Sequence, residues 1–492
     1  MIGFEKPNVM PLFRVFTEEN LNAIHLATLN VLAETGIRIV HSDEILKMLK
    51  EKGCRVNFEK KTVLFPPYLV EEALGKTTKI DTAYGRNSKY DFKLDGRHVY
   101  FTTDTETTST VDLETGEWRP STMDDLGKLT RVTDALESYA SGGHLTTSLD
   151  KPNNVRCLYD YAAALNNTEK PCGWSVYPPE LAMQLTDYQL EIATAVAGSE
   201  KKLKERPIVG GGFCTESPLQ LDGRFVETSL KLAKLGFPCD VESMPLAGAT
   251  APVTLTGALI MTNAEVLSGI TTIQLAAPGT GVSVGYLMGS LDMKTGLWAQ
   301  GSEEGLLCAG AVEIAQYYGL RVTVNGFNSS AKMSGAHASY EKAISTLLPV
   351  LAGADFVYGA GSLEGGMAAS FEELVIDNEI CKSVLSMAQG IRVDDETMAL
   401  NVIHKVGPGG HFLAEKHTLQ HFKEEHLFSE LMDRRSYAAW KKAGSKSLVE
   451  KAREKAKEIL KGHQPTPLDK DVQKEISDII RRAESELAKP SS

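Results

Sequence analysis

The stretch GADFVYGAGSLEGG, residues Gly353–Gly366, decides the fold prediction for this chain. Phe356 and Val357 begin a short apolar segment typical of a buried strand, and a glycine-dense turn separates it from a helix that starts near Ser370. Glycine accepts positive φ and lets a ligand approach the backbone closely. A turn of this kind at the carboxyl end of a strand is where α/β barrels build their pockets. MPLAGATAPVTLTGALIMTN, residues Met244–Asn263, has the same character.

Outward from this turn, short apolar segments alternate with amphipathic stretches. The candidate strands are Val99–Thr103, Gly173–Val176, Ile208–Phe213, Cys239–Ser243, Thr272–Leu275, Val282–Leu287, Val322–Phe327 and Phe356–Tyr358. Repeated strand–helix units indicate a parallel sheet. The pattern predicts an α/β fold of the (β/α)8 TIM-barrel class. An open doubly wound sheet is the alternative, although no GxGxxG motif follows a strand.

The two ends of the chain differ from this central pattern. Residues 1–95 predict a small N-terminal α+β element, and residues 96–395 predict the TIM-barrel catalytic domain. Residues 396–492 are charged, with helical periodicity in Lys446–His463 and Asp469–Leu487. They predict a helical C-terminal extension that packs on the barrel, on a partner or on another copy of the chain. We expect a homo-oligomer.

Composition excludes several classes of function. The 492 residues carry a formal net charge of −12, whereas a general nucleic-acid binder needs a basic face. The chain has no run of about 18 apolar residues, so no membrane span is predicted. The start of the chain lacks a secretory apolar segment. The seven cysteines include no CxxC pair, which fits reduced thiols. We expect a cytoplasmic protein that binds neither nucleic acid nor membrane.

Candidate ligand residues follow or end the predicted strands, where barrels bind their substrates. They are Tyr100, Asp104, Glu106, Trp174, Phe213, Tyr286, Phe327, Tyr358 and Glu364. Tyr177, Cys214, Glu242, Met244 and Asn325 occupy equivalent positions. The set is rich in aromatic and acidic side chains and poor in Lys and Arg. This composition favours an organic cation over a phosphate, although each aromatic residue taken singly is also a candidate core residue.

His337 is a further candidate binding residue. It lies in NSSAKMSGAHASYEK, Asn328–Lys342, a long polar connection after the strand Val322–Phe327. A position at the barrel mouth favours a role in ligand binding. Zinc is a weaker hypothesis for the histidines near the carboxyl terminus, where His417 and His421 have i,i+4 spacing. That stretch also has the pattern of an exposed helix, and no metal site is predicted.

Three segments together resemble the trimethylamine methyltransferase superfamily. They are PLAGATAPVTLTGALIMTNAE (Pro245–Glu265), SSAKMSGAHASYEKAISTLLPVLAGADFVYGAGSLEGG (Ser329–Gly366) and FEELVIDNEI (Phe371–Ile380), and the resemblance extends from Phe16 to Pro467–Val472. It implies a TIM-barrel methyltransferase that moves a methyl group from a methylated amine to Co(I) of a separate corrinoid protein. The cobalamin would then be carried by the partner, with no cofactor bound tightly to this chain.

The chain departs from the founding enzymes of this family in one loop. The archaeal trimethylamine enzymes carry pyrrolysine in the loop that reads KMSGAHASYEK here, and the flanking Lys332, Glu341 and Lys342 put that position at or next to His337. The resemblance therefore implies the non-pyrrolysine branch, whose substrates are quaternary amines. Glycine betaine is the first expectation, with His337 or backbone N–H groups of the glycine-rich turns holding its carboxylate.

Three alternatives stay open from the sequence. The same reaction on carnitine, γ-butyrobetaine or proline betaine is the first. A zinc-dependent methyltransferase is the second, for which Cys214 and Cys239 would join His337 as ligands. A non-catalytic betaine-binding module is the third, and only a methyl-transfer assay separates it from an enzyme.

Overall fold

Six parallel strands form the central sheet of the computed structural model, which describes residues 4–5, 12–80, 82–173 and 175–488. They are β1 (His98–Thr103), β2 (Gly211–Cys214), β3 (Cys239–Ser243), β4 (Val282–Tyr286), β5 (Arg321–Asn325) and β6 (Phe356–Ala360). Their order in the sheet is β2-β3-β4-β5-β6-β1, and Phe4–Glu5 pairs antiparallel with β1. The structure therefore confirms an α/β fold with a parallel sheet.

Helices connect these strands, as parallel pairing requires. From β2 to β6 and beyond, the helices are Gly223–Lys234, Leu255–Ala276, Ser302–Tyr317, Ala336–Ala352 and Phe371–Ala388. The longer connection from β1 to β2 contains Met123–Ala135, Arg156–Asn167, Ala182–Ala197 and Glu200–Glu205. Thr122 shows why one of them begins where it does: its hydroxyl accepts from the Asp125 backbone, and the Asp125 carboxylate accepts from the Thr122 backbone.

Two further extended segments follow β1 in the chain. Tyr139 forms an isolated parallel bridge with Phe101, and the Ala140 N–H donates to the Phe101 carbonyl at 2.9 Å. The Gly142 N–H donates in turn to the Pro171 carbonyl at 2.8 Å. The predicted strand Gly173–Val176 has no strand among its described residues, and Trp174 lies outside the described part of the chain.

The predicted strand Thr272–Leu275 is wrong, because these residues lie inside the helix Leu255–Ala276. Nearly every residue from Thr262 to Gln274 is buried, since the helix lies between β3 and β4 on one side and the N-terminal helices on the other. A helix that is apolar on all sides lacks the polar stripe that would identify it in the sequence.

An N-terminal layer covers that helix. It contains the helices Glu18–Asn30, Asp43–Glu51 and Pro67–Lys76, the π-helical turn Val31–Thr35, and the strands Ile37–Val40, Arg55–Asn57 and Thr62–Leu64. Gln220–Asp222 adds a parallel strand beside Ile37–Val40. This pairing joins the N-terminal layer to the connection that follows β2.

Short strands complete the sheets around the centre. They are Thr82–Ala83, Phe92–Lys93, Ser109–Val111, Trp118–Pro120, Leu246–Ala247, Gly289–Leu291, Trp298–Ala299, Ser362–Leu363 and Ala368–Ser370. All but the first two follow the carboxyl ends of β1, β3, β4 and β6, so they build up that end of the sheet.

The C-terminal region contains five helices among the described residues. They are Leu400–Val406, Lys416–Glu425, Tyr437–Lys442, Leu448–Gly462 and Lys470–Glu486. The last two pack on the body, Leu448–Gly462 through buried Ala452, Ala456 and Ile459. By contrast, no residue between 389 and 430 is buried. None of the described helices is long and apolar enough to span a membrane.

Candidate active site

The two faces of the central sheet have different chemistry. Phe213 and Val241 face Gly269 of the helix Leu255–Ala276, where a Cβ would lie 2.5 Å from Val241 Cγ1. Side chains alternate along a strand, so the neighbouring residues Cys214 and Glu242 face the opposite way. Paired residues in a parallel sheet share a face, and the pairs Cys214–Glu242 and Glu242–Gly285 extend this second face from β2 to β4. We call it the acidic face.

Asp104 and Tyr358 meet on the acidic face where β1 and β6 end. The Tyr358 hydroxyl donates to Asp104 Oδ1 at 2.7 Å and lies 2.9 Å from Thr105 Oγ1. Burial and the neighbouring Asp104 carboxylate raise the pKa of the Tyr358 hydroxyl well above its ordinary value. Burial also raises the pKa of Asp104. The tyrosine is therefore a stable proton donor that fixes the carboxyl group.

The glycine-rich turn within Gly353–Gly366 lies over Asp104 and Tyr358. Gly359, Gly361, Gly365 and Gly366 all have positive φ. A Cβ on Gly366 would lie 3.1 Å from Asp104 Oδ2, and a Cβ on Gly359 would lie 2.3 Å from the Gly326 carbonyl. Glycine is therefore needed here both for conformation and for close approach, as the sequence predicts.

Glu106 follows Asp104 in a left-handed backbone conformation, with φ of 60°. Its carboxylate lies 3.4 Å from His144 Nε2. Burial acts to raise the pKa of Glu106, but the hydrogen bond and charge of His144 outweigh it and lower that pKa. Burial likewise acts to lower the pKa of His144, and Glu106 outweighs it and raises that pKa. The two groups thus favour a Glu106 carboxylate beside a His144 imidazolium.

Glu242 and Cys214 provide the third acidic position. The Cys214 thiol donates to Glu242 Oε2 at 3.4 Å. Burial raises the pKa of Glu242, and burial together with the Glu242 charge raises the pKa of Cys214 well above its usual range. Asp240 lies two residues before Glu242 in β3, on the same face. Burial and the charge of Glu242 raise its pKa to about 8. Cys214 is therefore a protonated hydrogen-bond donor.

The acidic positions are close enough for the charge of one to shift the pKa of another. Glu106 raises the pKa of Cys214 through its charge, and Glu242 acts on Tyr358 in the same way. Tyr177 is about half exposed, and the burial of the rest of its side chain, with the charges of Glu106 and Cys214, raises its pKa. Register places Tyr358 on the same face as Glu242, so the carboxyl groups after β1 and in β3 lie near two tyrosines at this end of the sheet. We call the region between these groups the cavity.

Four of the predicted aromatic residues occupy other positions. Phe213 lies against the helix Leu255–Ala276, and the Tyr286 hydroxyl donates to Asn263 Oδ1 of that helix at 2.8 Å. Phe327 packs edge-on against Phe101. The Tyr100 hydroxyl donates to the Lys93 carbonyl, towards the amino ends of the strands. Of the six predicted aromatic side chains, Tyr358 shares the cavity with the acids, and Trp174 lies outside the described residues.

His337 and Glu364 lie at the rim of the carboxyl end. His337 is in the first turn of the helix Ala336–Ala352, largely exposed, with its Nε2 3.1 Å from Glu341 and 3.3 Å from Ser330 Oγ. Glu364 has a φ of 47° and lies 3.6 Å from Lys332 Nζ. The loop predicted over Asn328–Lys342 is therefore shorter than expected, because the helix begins at Ala336.

Buried carboxylates on the helices hold the loops at this end of the sheet. Glu265 accepts from the hydroxyls of Thr215, Ser217 and Ser243 at 2.6–2.8 Å and from the Leu219 N–H. This single side chain therefore fixes the residues that follow β2 and the last residue of β3. Each partner lies at least 22 residues from Glu265 in sequence, so no local pattern in the sequence indicates these contacts.

Two other helix carboxylates act in the same way on later loops. Glu304, whose pKa burial raises to about 7, accepts from the amides of Asn325 and Asn328 after β5. Asp377 accepts from the Gly361 N–H and from Lys342 Nζ at 2.7 and 2.8 Å. A single acidic residue in the helix Leu255–Ala276 is the signal that would have found Glu265. The helices of Glu304 and Asp377 each contain several acidic residues, so the sequence does not single out these two.

Two β-hairpins with a shared motif rise beside the cavity. DLETGEW, Asp112–Trp118, and DMKTGLW, Asp292–Trp298, share the pattern D-x-x-T-G-x-W. In each hairpin the aspartate carboxylate accepts from the backbone N–H two residues later, and the glycine has a φ near 75°. This repeat is not evident from the sequence alone, because it is short and its copies are far apart.

The described residues contain no group of three or more His, Cys, Asp or Glu side chains arranged to hold a metal ion. Cys214 and Cys239, the candidate zinc ligands, point to opposite faces of the sheet, since Cys239 Sγ contacts the Ser229 carbonyl on the helix side. The ring centroids of His417 and His421 lie 4.5 Å apart with the rings tilted by 44°, and His421 pairs with Glu396.

Comparison with known proteins identifies the family. The model of the trimethylamine methyltransferase (MTTB) family matches residues 5–488. The chain belongs to the trimethylamine methyltransferase family. A trimethylamine methyltransferase MttB of Desulfitobacterium hafniense is 36% identical over 472 residues, covering 96% of this chain and 94% of the relative. The MttB of Methanosarcina barkeri is 36% identical over 494 residues, covering 98% and 97%.

A relative with a different substrate also matches this member of the trimethylamine methyltransferase family. A glycine betaine methyltransferase of Desulfitobacterium hafniense Y51 is 30% identical over 482 residues, covering 97% of this chain and 99% of the relative. Among solved structures, a hydroxylamine complex of MtmB aligns over 98% of this chain and 89% of its own with a TM-score of 0.50 and 10% identity. That likeness concerns the fold alone.

Proposed function

We propose that this protein demethylates a quaternary amine, with glycine betaine the first candidate, and transfers the methyl group to Co(I) of a separate corrinoid protein. The observation that carries the proposal is the loop KMSGAHASYEK, which has His337 at or next to the position where the resemblance implies pyrrolysine in trimethylamine enzymes. The full-length match to a glycine betaine methyltransferase supports the same substrate class.

The chemistry of the acidic face suits a fixed cation. Asp104, Glu106 and Glu242 supply carboxyl groups, and Tyr358 supplies an aromatic ring on the same cavity. A quaternary ammonium group has no N–H to donate, so it is recognised by charge and by aromatic faces. A cavity that offers acids and a tyrosine, with Cys214 held as a neutral thiol, matches that requirement.

A quaternary nitrogen simplifies the reaction. It already carries its charge and leaves as a neutral amine, so no residue has to protonate it first. Co(I) supplies the nucleophile. The protein has to desolvate the cation, align one N–CH3 bond and exclude water. The loops fixed by Glu265, Glu304 and Asp377 suit this task, because they hold the ends of the strands in one geometry.

The carboxylate of a betaine needs a separate partner. His337 lies in the first turn of the helix Ala336–Ala352, where no side chain caps the N-terminal N–H groups. Helix N-termini favour anions. We therefore assign the ammonium group to the acidic face and the carboxylate to the His337 side, with Glu364 at the same rim.

We also propose that the sheet closes into a (β/α)8 barrel. The bridge from Phe101 to Tyr139 and the bond from Gly142 to Pro171 extend the pairing beyond β1. At the amino ends of the strands, a cavity of about 230 Å³ is lined by residues of these two segments and of four central strands, among them Ser141, Gly173, Asp240, Ser283 and Phe356. A ring of segments around one cavity supports closure.

The methyl acceptor must approach from the carboxyl end of the strands. Four methionines are exposed on loops and hairpins at this end, and they are Met244, Met293, Met333 and Met367. Methionine is adaptable and common on protein-binding surfaces. We assign this rim to the corrinoid protein, with the cobalamin face opposite the cavity.

A spectral assay of Co(I) conversion to methyl-Co(III) tests the function. The protein, reduced corrinoid protein and one candidate substrate are combined, using glycine betaine, carnitine, γ-butyrobetaine, proline betaine and trimethylamine in turn. We expect turnover with at least one quaternary amine and none with trimethylamine. Turnover with trimethylamine alone would overturn the substrate class, binding without turnover would indicate a binding module, and activity that requires stoichiometric zinc would favour the zinc-dependent alternative.

A further inference from the structure

The segment between residues 389 and 430 differs from every other part of the described chain. None of its residues is buried. Nine of its large apolar side chains are 42–92% exposed, and they are Ile391, Val393, Met398, Leu400, Ile403, Phe412, Leu413, Leu419 and Phe428. We call this segment the arm.

Polar contacts hold the arm in shape. Asp394 and Thr397 cap each other's backbone N–H groups. Lys405 Nζ pairs with Glu415 at 2.7 Å, and His421 pairs with Glu396 at 3.0 Å. All these contacts are exposed, and such pairs contribute about 1 kcal/mol or less each. They orient the arm without providing apolar burial.

The helices of the arm are too short to be stable alone. Leu400–Val406 has 7 residues and Lys416–Glu425 has 10, and neither buries a residue. Isolated helices below about 12 residues are marginal in water, and ordering a residue costs roughly 1–2 kcal/mol of backbone entropy. An ordered arm with an apolar surface therefore needs a cover that removes this surface from water.

The body anchors both ends of the arm. Ala388, at the end of the helix Phe371–Ala388, is buried, and so is Leu431 beyond the arm. Glu379 accepts from the Glu430 N–H at 3.1 Å, and Lys382 lies 3.9 Å from Glu430. The helix Phe371–Ala388 begins after β6 and runs back antiparallel to it, as helices in strand–helix units do. The arm therefore leaves at the amino-end face, opposite the cavity.

We infer that the arm is a subunit interface, covered by a second copy of this chain. Each of the nine large apolar side chains exposes on the order of 100 Å². Together they offer about 900 Å² of apolar surface. A standard stable interface buries about 800 Å² on each partner, and the largest apolar patch on a typical monomer is about 300–600 Å².

The position and permanence of the surface favour a second copy over another partner. The corrinoid protein has to bind and leave in each cycle, and it approaches the opposite face. An apolar surface that exists from the moment of folding needs a cover that is always present, and another copy of the chain is always present. Two-fold pairing would place each arm against the equivalent arm of its partner. The choice of a second copy rests on the corrinoid partner of the proposed function, but not on which amine is the substrate.

Sedimentation velocity on the full chain tests the inference. The wild-type protein is expected to sediment as a dimer or larger assembly at micromolar concentration. The double variant Leu413→Glu/Leu419→Glu is expected to sediment as a monomer, with the dissociation constant raised at least 100-fold, because each charge would be buried in the interface. Leu26→Glu is the matched control, since Leu26 is 56% exposed on the helix Glu18–Asn30 of the body, and it should leave the assembly unchanged.

A monomeric wild-type protein at this concentration would overturn the inference, and so would a double variant that keeps the wild-type size. If the double variant does not fold by circular dichroism, amide exchange of the wild type decides. Amides of residues 400–425 should be protected at high concentration and lose that protection on dilution. Protection that does not change while the protein dissociates would place the interface elsewhere, and co-sedimentation of monomer with lipid vesicles would assign the arm to a membrane instead.

Discussion

The carboxyl end of the central sheet and the arm contain similar residue types in opposite situations. At the carboxyl end, carboxylates such as Glu265 and Asp377 are buried and accept several hydrogen bonds each. In the arm, Glu396 and Glu415 form single exposed ion pairs, while the leucines face outward. The first arrangement suits the proposed site for a small ligand, and the second suits the proposed cover by a second copy of the chain. The two regions therefore differ in what they bury: the carboxyl end of the sheet buries charged groups, and the arm leaves apolar side chains exposed.

The largest expected effect comes from one buried lysine. Lys342 lies fully buried between Glu373 and Asp377, at 2.6 and 2.8 Å. Lys342→Met should lower the free energy of unfolding by about 3–5 kcal/mol, because it leaves two buried carboxyl groups without their cation. Lys405→Met in the arm is the matched control and should cost about 1 kcal/mol or less. Urea unfolding of both variants measures the difference, and equal losses would contradict it.

His337 at the rim should affect binding of the carboxylate and leave recognition of the cation intact. His337→Ala should weaken glycine betaine binding by about 1–3 kcal/mol and leave tetramethylammonium, which lacks a carboxylate, unaffected. Methyl transfer at saturating betaine should survive, because the acidic face still orients the nitrogen. Calorimetry with both ligands and steady-state kinetics check this, and an equal loss for both ligands would contradict the assignment of the carboxylate.

Glu242 should make cation binding depend on pH. Burial raises its pKa, so the carboxylate forms only as pH rises through that raised value, and affinity for tetramethylammonium should rise with it. The ligand cannot titrate, so the protein must supply the change. Glu242→Gln should reduce affinity about tenfold above this pKa and flatten the profile. Glu72→Gln, an exposed carboxylate paired with Lys76, is the control, and a profile unchanged by Glu242→Gln would exclude Glu242 from the site.

The smallest expected effect lies in the arm. Leu419→Ala should change the unfolding free energy of the dissociated monomer by less than about 0.5 kcal/mol, because Leu419 is 73% exposed. Leu374→Ala in the buried helix Phe371–Ala388 should cost about 2–5 kcal/mol. Thermal and urea unfolding at high dilution compare the two variants. A cost above 1 kcal/mol for Leu419 would mean that the arm packs on its own body.

Much of the parallel sheet could be predicted from the sequence. The apolar runs of β1, β3 and β6 and the glycine turn after β6 are local signals, and they are found where predicted. Thr272–Leu275 could not be recognised as helix, because its helix is buried on several sides and lacks a polar stripe. The exposed apolar surface of the arm could not be predicted from the sequence either, because exposure depends on which residues the rest of the chain covers.

Which strand ends carry the candidate residues is easier to predict from the sequence than which way their side chains point. Asp104 and Tyr358, both chosen at strand ends, are in contact, and their role in a site stays a prediction. Phe213 and Cys214 are adjacent, yet one faces a helix and the other the cavity, because a shift of one residue changes the face of a strand. The face of a parallel sheet that helices cover is also apolar. Aromatic character alone therefore did not distinguish residues of the acidic face from residues that face a helix.

A crystal structure with bound glycine betaine tests the central claim most directly. We expect the ammonium nitrogen within about 6 Å of the Tyr358 ring, with Asp104, Glu106 and Glu242 as its nearest carboxyl groups. The groove of about 790 Å³ between the helices Ala182–Ala197 and Lys470–Glu486 is the competing acidic site, lined by Asp187, Asp471 and Asp478. A betaine bound in that groove, or with its ammonium group remote from Tyr358, would contradict the account.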